Sequence, residues 1–175
     1  MMTTIILNER TPVIEIVLNR PDRRNAVNRE LLTDLDAALD AAERLVTDAP
    51  ATWRAVILRG EGPVFSAGID LGAFSEWAEI SGESWRDNLF ATTERYQRVT
   101  NKIEALSLPV IALLHGAAIG LGMEIALAAD FRVAAEGTRL QLPESRIGLI
   151  PDVGGTARLT RLLGPARAKE YILTG

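Results

Sequence analysis

The chain has 175 residues, 47% of them hydrophobic, and a net charge of −4, a composition that fits one globular domain (residues 1–175) with a sizeable core. With no cysteine, disulfides, thiolate nucleophiles and cysteine metal sites are excluded, and a single histidine argues against a histidine-based zinc site. No basic cluster is interleaved with aromatics, no apolar run reaches membrane-spanning length and Met1-Met2-Thr3-Thr4 carries no charged leader, so neither nucleic acid nor membrane is expected as a partner and a cytoplasmic protein is.

In chain order, Thr3–Leu7 and Val13–Leu18 read as two strands joined by a polar turn over Asn8–Thr11 with Pro12. Asn19 to Ala26 is a loop with Pro21 and Asp22 as turn residues, in which Arg23 and Arg24 offer charge for a phosphate or are simply solvated. Asn28 is placed to cap a helix to about Val46, whose Leu31, Leu32, Leu35, Leu39, Ala42 and Val46 form one apolar stripe. Trp53–Leu58 is a near-continuous apolar strand of the kind buried on both faces. A glycine-rich loop at Arg59–Pro63 leads to Val64–Leu71, where small residues permit close backbone approach to a ligand. Ser66 lacks the Gly-x-Ser-x-Gly elbow and has only His115 as a conceivable base, so a serine hydrolase is not favoured.

A mixed stretch over 77–84 reads as a mobile connection, followed by a helix from Glu83 to Leu106 with Leu89, Tyr96, Val99, Ile103 and Leu106 on one side. Val110–Leu114 is an apolar strand that breaks at His115-Gly116 and gives way to an apolar helix after Gly120. Glycines at a strand-to-helix turn leave amide N–H groups free to hold an anion or developing negative charge, with Glu124 in the first helical turn beside them. The same residues also describe a tight turn whose acid favours the helix dipole. Gly120-x-Gly122 meets Ile125 where a dinucleotide fingerprint needs a third glycine. Phe131–Ala135 is a further strand, and Leu140–Glu144 brings a second acid to the end of a short one. Ile150–Thr156 is a loop into an arginine-rich helix that stops at Gly164, after which Pro165 opens a last helix to Leu173. Strands alternating with helices give an α/β class with a mostly parallel sheet.

Glu124 and Glu144, twenty positions apart, are separated by a helix out and a strand back. A pair of acids beside an anion-stabilising pocket suits chemistry at the carbon next to a carbonyl, with amides holding the enolate oxygen while the acids move protons. Carboxylates sharing a partly dry site push their pKa values apart, which allows acid and base roles at one pH.

On these residues the chain resembles the crotonase (enoyl-CoA hydratase/isomerase) superfamily. The similar segments are Leu18-Asn19-Arg20-Pro21 through Arg24-Asn25-Ala26, Phe65-Ser66-Ala67-Gly68-Ile69-Asp70, and Pro109 through Asp130. Pro143-Glu144 through Gly154-Gly155-Thr156 and Leu173-Thr174-Gly175 continue it. The resemblance implies an α/β spiral of ββα units, usually assembled as trimers or hexamers, acting on acyl-coenzyme A thioesters of the kind met in fatty acid metabolism. It implies no metal and no cofactor beyond the coenzyme A of the substrate. Carried over by position, Glu124 and Glu144 match both catalytic glutamates of hydratases, and the backbone N–H groups of Ile69 and Leu121 match the oxyanion hole. Ala67 falls where the family's backbone meets the adenine, with Gly68, Asp70 and Leu71 following along the substrate. Arg24 matches a position that meets coenzyme A phosphates, with Ala26 close by, and Gly120 and Asp152 complete the substrate-binding set. Asp152 also matches an aspartate of dienoyl-CoA isomerases, whereas Ile-Pro-Asp-Val-Gly-Gly read by itself is a loop that caps the next helix. His115 reads as a turn residue. The expected reaction is hydration of a 2-enoyl-CoA, with isomerisation through Glu144 and Asp152, or non-catalytic acyl-CoA binding, as alternatives. Family members continue past Leu-Thr-Gly into helices that complete the acyl pocket and the trimer. Tyr171, Ile172 and Leu173 are therefore expected to stand uncovered here, with weak activity and poor assembly of this chain alone.

Overall fold

The computed structural model describes residues 2–72 and 85–175, and the side chains of all of these except 85–91. The expected connection over 77–84 and the side chain of Leu89 lie outside the described residues. Strands β1 (Ile5–Arg10) and β2 (Val13–Leu18) form an antiparallel hairpin that pairs Ile5 with Leu18 and Arg10 with Val13. β1 thus runs through Asn8–Arg10 of the residues expected to turn, because each finds a ladder partner on β2, and the turn is confined to Thr11 and Pro12. Asn8 even donates from its side chain to its cross-strand neighbour Glu15 at 2.7 Å.

Helix α1 (Arg29–Asp48) starts where expected, with the Asn28 side chain accepting from the Leu31 N–H at 2.9 Å. It buries Leu31, Leu32, Leu35, Ala38, Leu39 and Ala42, while Val46 is only partly covered. Each such leucine contributes about 2 kcal/mol relative to exposure, so the stripe pins the helix to the sheet. β3 (Ala55–Gly60), α2 (Trp85–Glu104), β4 (Val110–Leu114), β5 (Ala117–Ile119), α3 (Leu121–Leu127), β6 (Phe131–Ala134), β7 (Arg139–Gln141) and α4 (Gly155–Thr174) follow. The main sheet has the order β1-β2-β3-β4-β6 and is parallel from β2 onwards. β5 and β7 make a separate parallel pair, which turns the stretch expected to be a plain turn before α3 into a short strand. α4 breaks at Gly164, with φ 76° and ψ 164°, as its glycine-proline junction predicts.

The main core gathers the sheet, α1, α2 and part of α3. A second cluster of Met123, Leu127, Leu142, Leu159 and Ala168 seats α4 on α3. Ile172 packs against that cluster, so only Tyr171 (37% exposed) and Leu173 (71%) stand uncovered at the end of α4. Among the described residues no helix is long and apolar enough to cross a membrane.

Candidate active site

The connection after β3 and the connection after β4 run side by side, backbone against backbone. Phe65 N–H donates to the His115 carbonyl at 2.9 Å, Ser66 N–H to Ala117 at 3.1 Å, and Ile119 N–H to Ser66 at 3.1 Å. This proximity excludes a side chain at Gly68, where a Cβ would stand 2.6 Å from the Ile119 carbonyl oxygen. The same Cβ would lie 3.6 Å from the Leu121 nitrogen, which places the two turns at one spot. Gly68 also has φ +94°, a conformation that glycine alone adopts without strain.

Two backbone N–H groups, of Ile69 and Leu121, flank these turns. Val27 brackets Ile69, donating to the Gly68 carbonyl at 2.7 Å and accepting from the Asp70 N–H at 3.0 Å. The Ile69 N–H is left pointing away from that ladder. Leu121 is the first residue of α3, whose N–H has no carbonyl one turn back to bond. Among the described residues neither N–H has a hydrogen-bond partner.

Glu124 sits in the first turn of α3 and is 2% exposed. Its Oε1 accepts from the backbone N–H groups of Val153 (2.9 Å) and Gly155 (2.8 Å). Burial pushes its pKa up to about 7, helped by the negative charges of Glu144 and Asp152 and opposed by the two amides. Glu144 begins a 3-10 turn (Glu144–Ile147), rather than ending the preceding strand as expected. The Gly120 N–H donates to the Gln141 carbonyl at 2.8 Å, so β7 delivers Glu144 to the start of α3. The Oε1 of Glu144 lies 2.7 Å from where a Cβ on Gly120 would stand. Its Oε2 is buried with no hydrogen-bond partner among the described residues. Burial, with the charge of Asp152, raises the pKa of Glu144 against its own backbone N–H. The expectation that the second acid returns to the first is therefore met.

Asp152 is exposed, and its Oδ2 accepts from the Thr93 hydroxyl of α2 at 3.0 Å. It does not cap α4: the N-cap is Gly154, with φ 101° and no side-chain cap bond. Arg24 is left-handed (φ 52°) and its side chain is exposed, while its carbonyl accepts the Ala67 N–H at 2.9 Å. Ala67 is itself exposed beside it. Arg20 bonds the Ala26 carbonyl and, at 3.1 Å, the Asp70 carboxylate. Leu71 is 60% exposed. His115 is a turn residue as expected, its Nε2 lying 2.8 Å from the Gly62 carbonyl. The Ser66 hydroxyl is buried support, donating to the Asn25 carbonyl at 2.8 Å and accepting from the Gly68 N–H at 3.2 Å.

Asn25 and Arg158 carry more than their sequence context signals. Asn25 is fully buried at φ 53° and staples two loops, donating to the carbonyls of Glu61 (2.8 Å) and Val64 (2.9 Å) and accepting from the Arg20 N–H (2.8 Å). An asparagine just after a proline turn is a candidate for a left-handed residue, and that was the available signal. Among the described residues no group of three or more His, Cys, Asp or Glu is placed to hold a metal.

The family model described as enoyl-CoA hydratase/isomerase matches residues 8–175. A probable enoyl-CoA hydratase of Bacillus subtilis is 40% identical over 151 residues, covering 86% of this chain and 54% of that protein. A mitochondrial Delta(3,5)-Delta(2,4)-dienoyl-CoA isomerase of Dictyostelium discoideum is 32% identical, covering 96% of this chain and 57% of that protein. Among solved structures, the enoyl-CoA hydratase of Bacillus anthracis superposes with a TM-score of 0.86 at 36% identity, covering 99% of this chain and 63% of that one. The chain thus spans less than two thirds of the length of each of these relatives. With a family model matched along nearly its whole length and that superposition, the chain belongs to the enoyl-CoA hydratase/isomerase family and has the crotonase fold.

Proposed function

We propose that the site hydrates a 2-enoyl-CoA to a 3-hydroxyacyl-CoA. The observation that carries this reading is the pair Glu124 and Glu144, both raised in pKa by burial and both at the first turn of α3, where the Leu121 N–H has no partner among the described residues. The Ile69 and Leu121 amides take the thioester oxygen as it becomes an enolate oxygen. One glutamate removes a proton from water as its oxygen bonds the β-carbon, and the other delivers a proton to the α-carbon. The net change is addition of H and OH across the double bond. A carboxyl group titrating near 7 serves either role at neutral pH. The buried Oε2 of Glu144, without a partner among the described residues, fits this use, since a buried carboxylate oxygen without a donor is costly unless a ligand supplies one. Coenzyme A enters with the substrate, its adenine beside Ala67 and its phosphates within reach of Arg24, whose side chain is exposed next to it.

A second reading, dienoyl-CoA isomerisation through Glu144 and Asp152, rests on the charge of Asp152 being felt by both glutamates. The relative named as a dienoyl-CoA isomerase supports the same reading. Incubation with a 2-enoyl-CoA and with a 3,5-dienoyl-CoA, followed by product identification, separates the two. A 3-hydroxyacyl-CoA from the first substrate supports hydration, and a 2,4-dienoyl product from the second alone replaces it with isomerisation. Acyl-CoA binding without either product overturns both in favour of a binding role.

A further inference from the structure

The segment 152–155 has two faces. Its inner face presents the Val153 and Gly155 N–H groups to one oxygen of Glu124, at 2.9 and 2.8 Å. Its outer face is gripped by a polar stripe on α2, where Thr93, Gln97, Thr100, Asn101 and Glu104 recur at helical spacing. Thr93 bonds the Asp152 carboxylate, Gln97 donates to the Asp152 carbonyl at 2.6 Å, and Thr100 donates to the Val153 carbonyl at 3.1 Å.

Arg158, in the first turn of α4, locks this arrangement. It is 6% exposed and bonds Glu104 twice (3.1 and 2.9 Å) and Asn101 once (2.7 Å) through Nε and Nη2. Those bonds by themselves would tie α4 to α2. Its remaining nitrogen, Nη1, goes instead to the Thr100 hydroxyl (3.3 Å) and the Val153 carbonyl (3.1 Å). Val153 is thereby held at its carbonyl oxygen by Arg158 and Thr100, while its N–H holds Glu124.

We infer that Arg158 is a positioning residue for Glu124: it fixes the 152–155 segment from behind so that two amides converge on one carboxylate oxygen. The inference deepens the hydratase reading and rests on it for its bearing on catalysis. The geometric part stands on the contacts alone. A lysine at 158 keeps the charge and the tie to Glu104, but its single ammonium cannot also reach the Val153 carbonyl and Thr100 with a planar fork. The charged groups facing Glu124 are Glu144 on the turn after β7 and Asp152 on the segment itself.

The test titrates the carboxyl carbon of Glu124 by NMR in the glutamate-labelled chain, which reads the site without turnover. Arg158→Lys and the near-isosteric Thr100→Val are compared with the parent. Loosened amides stabilise the carboxylate less, so the Glu124 midpoint is expected to rise by about half a pH unit or more in both variants. Hydration, where the parent shows it, is expected to fall roughly tenfold in kcat with KM nearly unchanged. If Arg158→Lys fails to fold, Thr100→Val carries the test, since it leaves every ion pair in place. A Glu124 midpoint that stays at the parent value in the folded variants, with only the melting temperature lowered, makes Arg158 a plain tie between helices and overturns the inference. A shifted midpoint in a chain whose parent hydrates nothing removes the hydratase reading and leaves the positioning role standing.

Discussion

The Oε1 of Glu144 lies 2.7 Å from the place a Cβ on Gly120 would occupy. Gly120 therefore does two jobs. At φ +51° and ψ −123° it makes a junction from β5 into α3 that side-chain-bearing residues resist, and its bare Cα leaves room for the acid that β7 brings back. Gly120→Ala is expected to displace the Glu144 carboxylate and strain the start of α3, where the Leu121 N–H is presented. Hydration should fall by roughly a hundredfold, the scale for a mispositioned catalytic group. Near-parental turnover in Gly120→Ala would show that the close approach does not matter.

Glu124→Gln and Glu144→Gln test the acids one at a time. Glutamine keeps an oxygen that can accept from Val153 and Gly155, so Glu124→Gln should fold. Loss of a positioned acid–base group costs roughly a hundredfold or more in turnover. Binding of a saturated acyl-CoA should change little in either variant. Measuring kcat and the dissociation constant side by side decides it, and a variant that hydrates normally loses its assigned role.

Most of the scaffold was legible because its signals are long and periodic. The α1 stripe and its Asn28 cap, β2, β4 and the break at Gly164 all follow from residue spacing or a single cap. Ala117–Ile119 was not legible as a strand: three residues carry too little alternation, and it exists through its pairing with β7, twenty-two positions away. The same pairing explains why the sequence suggests that Glu144 returns to Glu124 without giving the contact. Glu144 was expected at a strand end and lies in a 3-10 turn, since the strand stops at Gln141. Of the two readings of Asp152, the one that makes its loop a cap for the next helix does not hold for its side chain: its partner is Thr93, fifty-nine positions earlier, and no local pattern announces such a contact. Arg158 and Asn25 went unread for the same reason: their partners come from distant loops and helices.

Asp152→Asn separates the two reactions. The amide oxygen can still accept from Thr93, so the segment should keep its place. Removing the negative charge relieves both glutamates, whose pKa values should move down. Hydration is expected to stay within about threefold of the parent, with its pH dependence displaced to lower pH. A selective loss of dienoyl isomerisation, in a chain that hydrates nothing, would hand the assignment to the isomerase reading.

Asn25→Asp tests the staple behind the Ser66–Ile69 turn. The side-chain amide now donates to the Glu61 and Val64 carbonyls. A carboxylate there places charge against two acceptors in a fully buried position. Orphaned buried polar groups cost about 1–3 kcal/mol each, so a loss of about 2–4 kcal/mol is expected from a domain whose net stability is roughly 5–15 kcal/mol. The urea midpoint of the variant reports it, and a shift worth under about 1 kcal/mol would mean that the loops hold together without Asn25.

Glu124 also makes stability depend on pH in a direction opposite to that of most carboxyl groups. Its pKa rises on folding from 4.5 to about 7, so between those values the folded chain binds more protons than the unfolded one. The stability linked to this group is therefore fully present below about pH 4.5 and is lost as pH rises to 7, after which it levels off. The shift corresponds to a loss of about 3 kcal/mol across that window, driven by the cost of charging a carboxyl group that is 2% exposed. Glu124→Gln cannot ionise and should show a flatter profile, steepened only by the smaller upward shift of Glu144 and by groups both proteins share. Chemical denaturation of the two at several values between pH 4.5 and 8 gives the difference directly. Parallel profiles would mean that Glu124 is charged throughout, and that the Val153 and Gly155 amides outweigh burial.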